Sequence, residues 1–293
     1  MVDLYGTKID LQFLPVLPAA LNKLIEISSD NEMSNKEIAK IISLDGGISA
    51  KILSIANSAL FGGIVPITDL VTAVTRLGRN DVKTIAMTIY ISQVLKKFTL
   101  NNVSIEDFWL HSLSVAFLSR KIISHYDFKQ NFSEEELNYL YLSALMHDLG
   151  YIILDIICPE KLCEFLIVSK KNNISLFKAE QDVFHTSHSE EASKLFEYWK
   201  LPEQIIEIMK YHHTPDKTNS KLINLGNVIH VADYLANLFG YEIFKDFPHE
   251  PVQQSILNHF NFSSASDTSD KYLDELKNQS ELFINFSKLA LSV

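Results

Sequence analysis

Apolar residues recur along this chain at spacings of three and four, the period of a helix with one buried face, and no alternating run of useful length signals a strand. Leu17-Pro18-Ala19 opens a segment with apolar positions at Leu21, Leu24, Ile25 and Ile27. Ser34-Asn35-Lys36-Glu37 is a capping box ahead of Ile38, Ile41 and Ile42. Gly46-Gly47 breaks the pattern, and Ile48, Ile52, Leu53, Ile55 and Ala56 form the next apolar face. Asn57-Ser58 reads as a polar plug that ends this helix before Phe61-Gly62. Gly78 terminates a helix carrying Val71 and Val74, and Asn80 or Asp81 caps a longer one reaching about Phe98.

Polar Asn101-Asn102 and Ser104 mark a join. Beyond it the pattern predicts helices over about 105–126, 134–148, 159–172, 188–198, 202–213 and 221–239. Ser133 precedes Glu134-Glu135-Glu136, and Pro202 falls at a first-turn position where its missing N–H costs nothing. Residues 263–269 are a Ser-rich linker, and a last helix carries Tyr272, Leu276, Phe283, Phe286 and Ala290 as its stripe. The expected fold is therefore all-α and bilobal. A first helical lobe covers 14–100, a second covers 105–245, and a linker with a C-terminal helix covers 246–293.

Composition narrows the class. With 293 residues, 47% of them hydrophobic, and 18 Phe and 11 Tyr, the chain can build a substantial core. Nine Gly and eight Pro are few for this length and favour long helices over many tight turns. A net charge of −10 without a basic run argues against a nucleic-acid groove. Cys158 and Cys163 lie in an apolar stretch and suggest no disulfide framework, so the expected compartment is a reducing cytoplasm. No signal-peptide pattern opens the chain, and the longest apolar run, around Ile152–Ile157, is interrupted by Asp155 and too short to span a bilayer. No membrane partner is expected.

The candidate chemistry lies in an ordered series of ligand-type residues. His147-Asp148, in Leu145-Met146-His147-Asp148-Leu149-Gly150, is preceded by His111 and followed by His188, adjacent His212-His213 and Asp233. Each falls in a segment that reads as helix. Imidazoles and carboxylates suit Zn, Fe or Mn, and a carboxylate next to a His can bridge two such ions. Each residue also has a plainer role. His111 can be a core histidine, and His147-Asp148 can answer a helix end with a dipole contact and a cap. His188 competes with His185. His212 and His213 would point about 100° apart on a helix, so one could ligate while the other faces solvent or a phosphate. Asp233 lies among Val228, Ile229, Val231 and Ala232, where a carboxylate is costly unless paired. His125, His249 and His259 fit no series and read as surface residues, and Asp107 reads equally as a helix cap.

The order of these motifs resembles a known family. Leu17-Pro18, then Leu53 to Gly62 (Leu-Ser-Ile-Ala-Asn-Ser-Ala-Leu-Phe-Gly) and Leu77-Gly78, look like the N-terminal half of the HDOD (HD-related output domain) family. Phe108-Trp109-Leu110-His111-Ser112, the His-Asp pair, and Trp199-Lys200-Leu201-Pro202 to Tyr211-His212-His213 resemble its second half. The resemblance covers roughly residues 14 to 240. It implies an all-α bilobal module of bacterial signal transduction, related to the HD and HD-GYP metal-dependent phosphohydrolases. Carried over, it puts His111, His147, Asp148 and Asp233 around one ion. It has Asp148 bridge to a second ion completed by His188, His212 and His213. Two features depart from the HD-GYP enzymes: Tyr151 follows Gly150 where they carry Lys, and Asp155-Ile156-Ile157-Cys158-Pro159 replaces the Gly-Tyr-Pro signature.

Two functions follow from the resemblance. One is a signalling output or scaffold module with a protein partner, an HD-like lobe that holds one or two transition ions, and little or no catalysis. The other is a metal-dependent phosphohydrolase acting on nucleotides or cyclic nucleotides. An enzyme needs a cationic or donor group to hold phosphate; Lys200, Lys210, Lys217 and Lys221 flank the site region in sequence, none at the place the resemblance gives such a group.

Overall fold

Helix ends in the computed structural model follow caps written in the sequence. It describes residues 2–4, 6–9, 23–24, 33–57, 65–125, 132–218, 223–260 and 271–291. The helix expected from Leu17-Pro18, the segment Ser58 to Gly62, Lys221 and the Ser-rich linker lie outside these residues, as do the side chains of His125, His259, Phe283, Phe286 and Ala290. Helix α1 (Asn35–Ile42) starts at Ser34, whose hydroxyl accepts from Glu37 N–H while the Glu37 carboxylate accepts from Ser34 N–H. Asp45 caps α2 (Gly46–Ala56) and Asp69 caps α3 (Leu70–Leu77) in the same way. Asn57 is the plug read from the sequence. Its amide donates to the carbonyls of Leu53 (2.9 Å) and Ile67 (2.8 Å) and accepts from Ile67 N–H (2.7 Å), closing the end of α2. Gly78, at φ 92°, ends α3 and directly precedes α4 (Arg79–Leu95), so the helix starts ahead of the expected Asn80 or Asp81.

The helices that follow are α5 (Ile105–His125), α6 (Glu134–Met146), α7 (Leu149–Ile157), α8 (Pro159–Asn172) and α9 (Leu176–Phe184). After them come α10 (His188–Tyr198), α11 (Glu203–Lys210), a single 3₁₀ turn at Pro215–Lys217, α12 (Ile223–Leu238), α13 (Gln254–His259) and α14 (Lys271–Leu291). The fold is all-α but for one hairpin, β1 (Val2–Leu4) and β2 (Thr7–Ile9), paired antiparallel with Asp3 opposite Lys8. Strands of three residues are too short to write an alternation, which is why the pattern does not show them.

Three boundaries differ from expectation. The helix expected over 134–148 stops at Met146, leaving His147 and Asp148 in a turn before α7. The one expected over 202–213 stops at Lys210, so His212 and His213 also lie in a turn, and Pro202 is the residue before the helix rather than its first. Helices α7 and α9 were not resolved by periodicity. In α7 seven of nine residues are buried, so no polar face interrupts the apolar one.

The chain divides into two compact units: Met1–Leu14, Thr99–Ser133 and Leu140–Asn285 form one, and Pro15–Phe98, Glu134–Tyr139 and Phe286–Val293 the other. In the larger unit α5 lies along α12, α7 packs on α8 and α10, and α10 on α11. One stretch, Glu135–Ile157, is long and apolar enough to cross a membrane, but 83% of its apolar window is buried inside the protein and the turn at His147-Asp148 divides it.

Asp155 anchors this unit. It is fully buried in α7, and its carboxylate accepts from the N–H groups of Asn101, Asn102 and Val103 at 2.8–3.0 Å and from the Asn102 amide at 2.7 Å. Removing it strands three N–H groups. We expect Asp155→Ala to lower stability by about 3–5 kcal/mol, the range for breaking a buried charged network, as read by urea denaturation followed by circular dichroism. A loss under about 1 kcal/mol would show that water replaces the carboxylate.

Candidate metal centre

Three helices and two turns deliver the ligand-type side chains, all within the larger unit. His111 comes from the second turn of α5, His147 and Asp148 from the α6–α7 turn, and His188 from the first position of α10. His212 and His213 come from the turn after α11, and Asp233 from the middle of α12. The α5–α12 pairing brings His111 and Asp233 together. Its Nε2 lies 3.2 Å from Asp233 Oδ1, 3.2 Å from Asp148 Oδ2 and 3.2 Å from His147 Nε2. On the other side of Asp148, Oδ1 lies 3.0 Å from His188 Nε2 and 3.6 Å from His212 Nε2. Asp148 therefore turns one oxygen to each group.

Within each group the donor atoms are close enough for one ion. One atom from each of His111, His147, Asp148 and Asp233 lies within 4.8 Å of the others, and so does one from each of Asp148, His188, His212 and His213. All seven residues of the series are brought together. Six are buried to within a few per cent; His213 is partly exposed, yet both its ring nitrogens are covered. His185, the rival of His188, is exposed and occupies the left-handed position that ends α9 (φ 57°). Asp107 stays outside: its carboxylate accepts from Lys245, and Ser104 caps its N–H. His249, read as a surface residue, faces Glu242 at 3.3 Å and lines the cleft beside the centre.

The imidazoles are oriented from behind. Nδ1 of His111 donates to the carbonyl of Tyr241 (2.7 Å), that of His147 to Ala144 (2.8 Å) and that of His212 to Met209 (2.6 Å). A carbonyl can only accept, so each Nδ1 carries the proton, and in the neutral ring Nε2 presents a lone pair to the centre. His188 Nδ1 instead donates to the carboxylate of Glu180, at 2.9 Å. Asp148 Oδ1, His188 Nε2, His212 Nε2 and both ring nitrogens of His213 are buried without a hydrogen-bond partner. Buried acceptors converging on one another are costly unless a cation lies between them. This donor set fits one or two divalent transition ions, with a backing contact behind four of the five imidazoles.

Protons can neutralise the same cluster. Burial disfavours an imidazolium, yet the carboxylates of Asp148 and Asp233 hold His111 up at about 10. His188 is likewise held at about 10 against burial, by Glu180 and Asp148. Burial lowers His212, and burial with the neighbouring His212 and His188 pushes His213 well down. Against burial, the surrounding imidazoles keep Asp148 well below the usual carboxylate range.

Two residues escaped the sequence reading. Glu180 is fully buried on α9 and accepts from both Nδ1 and N–H of His188. Its signal was a lone Glu in the stripe Leu176, Ala179, Glu180, Val183, Phe184, hidden because Lys178 and Asp182 make the stretch look solvated. Gly150 read as part of a helix end. In the structure a Cβ there would meet the His188 carbonyl oxygen at 2.2 Å, so only glycine lets α7 approach the first turn of α10 closely enough to bring His188 to Asp148.

Two outcomes are expected. Gly150→Ala should cost about 1–3 kcal/mol by overpacking, read as a lower melting temperature; an unchanged one would mean that the α7–α10 approach has slack. In metal-free protein, His111 and His188 have folded values above the ordinary 6.5, so the stability they contribute is complete below about 6.5 and lost as pH rises through about 10. Denaturation of chelator-treated protein at pH 6 and 10 checks this, and His111→Gln should flatten part of the difference.

Residues 14–215 match the family model of the HDOD domain. The structure resembles that of an HDOD domain protein of unknown function from Geobacter sulfurreducens, with a TM-score of 0.76 and 22% identity over 96% of this chain and 94% of that one. It also resembles a candidate signal transduction protein from Marinobacter aquaeolei VT8, with a TM-score of 0.77 and 18% identity over 96% of this chain and 62% of that one. A candidate metal-dependent phosphohydrolase from Shewanella amazonensis SB2B gives a TM-score of 0.57 and 20% identity over 92% of each chain. An uncharacterized protein of Treponema pallidum (strain Nichols) is 21% identical over 86% of this chain and 47% of its own length, so the chain spans about half the length of the curated relative it matches. With the family model matching more than half of its length, the chain belongs to the HDOD domain family.

Proposed function

We propose that this protein is a cytoplasmic signalling output module whose second lobe holds up to two transition ions, Fe, Mn or Zn, and presents a surface to a protein partner with little or no turnover. His111, His147, Asp233 and Asp148 Oδ2 would hold one ion, and Asp148 Oδ1, His188, His212 and His213 the other. The observation that carries the reading is the bridging posture of Asp148, one oxygen to each set of imidazoles. Restraint on catalysis is supported by the cleft beside the centre. Its lining includes Tyr151, Phe177, Phe244, Phe247 and Glu250 and, among the described residues, no Lys or Arg. Tyr151 stacks on the His188 ring with centroids 4.0 Å apart. Lys200 and Lys217 are exposed, and Lys210 lies over the Tyr211 ring instead.

The completeness of the donor set favours a second reading, a metal-dependent phosphohydrolase of nucleotides or cyclic nucleotides. Bound divalent ions would supply Lewis acidity towards a phosphoryl group. The chain's own residues would position such a substrate poorly, since the donors lining the cleft include Ser175, Asn237 and histidines, with the Glu250 carboxylate beside them and, among the described residues, no Lys or Arg. Losing one transition-state donor costs a factor of about a hundred to a thousand in rate.

Protein purified without chelator should carry close to two ions per chain by elemental analysis. Asp148→Ala should lose both, and His185→Ala neither. Single-turnover assays with cyclic dinucleotides and nucleoside mono- and triphosphates, run anaerobically with Fe or Mn, should show negligible hydrolysis. Metal-dependent turnover near one per second, abolished by Asp148→Ala, would replace the module reading with the hydrolase. Protein that takes up none of Mn, Fe or Zn would overturn the metal assignment itself.

A further inference from the structure

The two groups around Asp148 are supported differently. The imidazoles of His111, His147 and His212 are each backed by a main-chain carbonyl, whereas His188 is backed by a side-chain carboxylate and lies against a ring. We propose that Glu180 is the positioning residue of the second half-site: it fixes the tautomer and direction of His188, and so sets the metal affinity of the group Asp148 Oδ1, His188, His212 and His213 while leaving the group around His111 untouched. This rests on the metal reading above.

The geometry is that of an anion built to face one ring. Glu180 is fully buried, and its Oε2 accepts from His188 N–H at 2.8 Å and from Nδ1–H at 2.9 Å, with Oε1 at 3.1 Å from the same nitrogen. The main-chain contact fixes the carboxylate relative to the first residue of α10, so the second contact can only aim the ring. Tyr151, stacked at 4.0 Å with an interplanar angle of 25°, restricts rotation of the same ring. A carboxylate behind an imidazole raises its basicity towards a metal more than a carbonyl does, and such partners change metal affinity by about 10–100-fold. His213, the least supported of the group, has neither ring nitrogen hydrogen-bonded. The second half-site therefore depends on Glu180 more than the first depends on any single contact.

Glu180→Gln keeps the shape and removes the charge. An amide oxygen can serve one of the two N–H groups, and its NH2 then faces the other donor, so His188 is driven towards the tautomer with its proton on Nε2, which cannot ligate. Titration of Mn or Zn into chelator-treated protein, followed by calorimetry, reads both half-sites. Wild type should bind two equivalents. In Glu180→Gln one equivalent should keep its affinity within about twofold while the other weakens by about 10–100-fold, and His188→Ala should lose that same equivalent. Glu180→Asp, which shortens the arm but retains the charge, should fall between, and melting of the metal-free proteins separates folding from ligation. If wild type binds two and Glu180→Gln binds both as wild type does, or weakens both alike, the assignment of Glu180 falls while the metal reading stands. If neither variant folds, Glu180 is a structural anchor and the proposal is overturned. If wild type binds none, both readings fall together.

Discussion

One buried carboxylate, Asp148, is shared by two sets of imidazoles, and the larger unit is arranged to make that sharing tolerable. Nitrogen and oxygen acceptors crowded around one carboxylate repel unless protons or cations lie among them. The elevated His111 and His188 and the depressed Asp148 and Asp233 are two faces of that constraint. Protons can satisfy it, but the four rings backed at Nδ1 all turn their Nε2 inward, an arrangement that suits a metal better than a hydrogen-bond network. Metal uptake would displace protons held on His111 and His188 and so would depend on pH.

Such a cluster persists only where the scaffold over-determines it. Here the determinants are distributed over separate elements. The α5–α12 pairing carries His111 and Asp233, the α6–α7 turn carries the pair, and Gly150 lets the first residue of α10 come within reach of it. Asp155, one turn along α7 from Tyr151, ties the same helix to the 101–103 segment that leads into α5. The helix bearing the bridging carboxylate at its start and the helix bearing His111 are thus linked by a second buried carboxylate that takes no part in the centre.

How much of this was legible in the sequence follows from what each residue needs from its neighbours in the chain. His111, His147, Asp148 and Asp233 announce themselves as polar residues in apolar segments, His188, His212 and His213 by their place in the ordered series, and helices α1 to α3 are legible because caps and apolar faces coincide. The turn at 147–148 was hidden because an apolar run continues through it, so periodicity alone extends the helix, and the one at 211–213 because no Gly or Pro stands between Met209 and Thr214 to mark the helix end. Gly150 and Glu180 were hidden for another reason. Their roles are defined by contact with His188, on a different helix from either, and only the packing of α7, α9 and α10 reveals them.

The cleft beside the centre bears on what such a module could recognise. A phosphate-binding pocket surrounds its anion with Lys, Arg or main-chain N–H groups. Here Phe177, Phe244 and Phe247 with Tyr151 supply ring faces and edges, while Glu250, raised by its burial, accepts from Ser175. Positive charge at the cleft then comes from the histidine cluster, as protons held on His111 or as ions, and not from Lys or Arg among the described residues. The part of the wall formed by Ile243 to Glu250 lies beyond the stretch matched by the family model, and Tyr241 just before it orients His111. The segment that shapes the cleft is therefore tied directly to the cluster through the ring of His111.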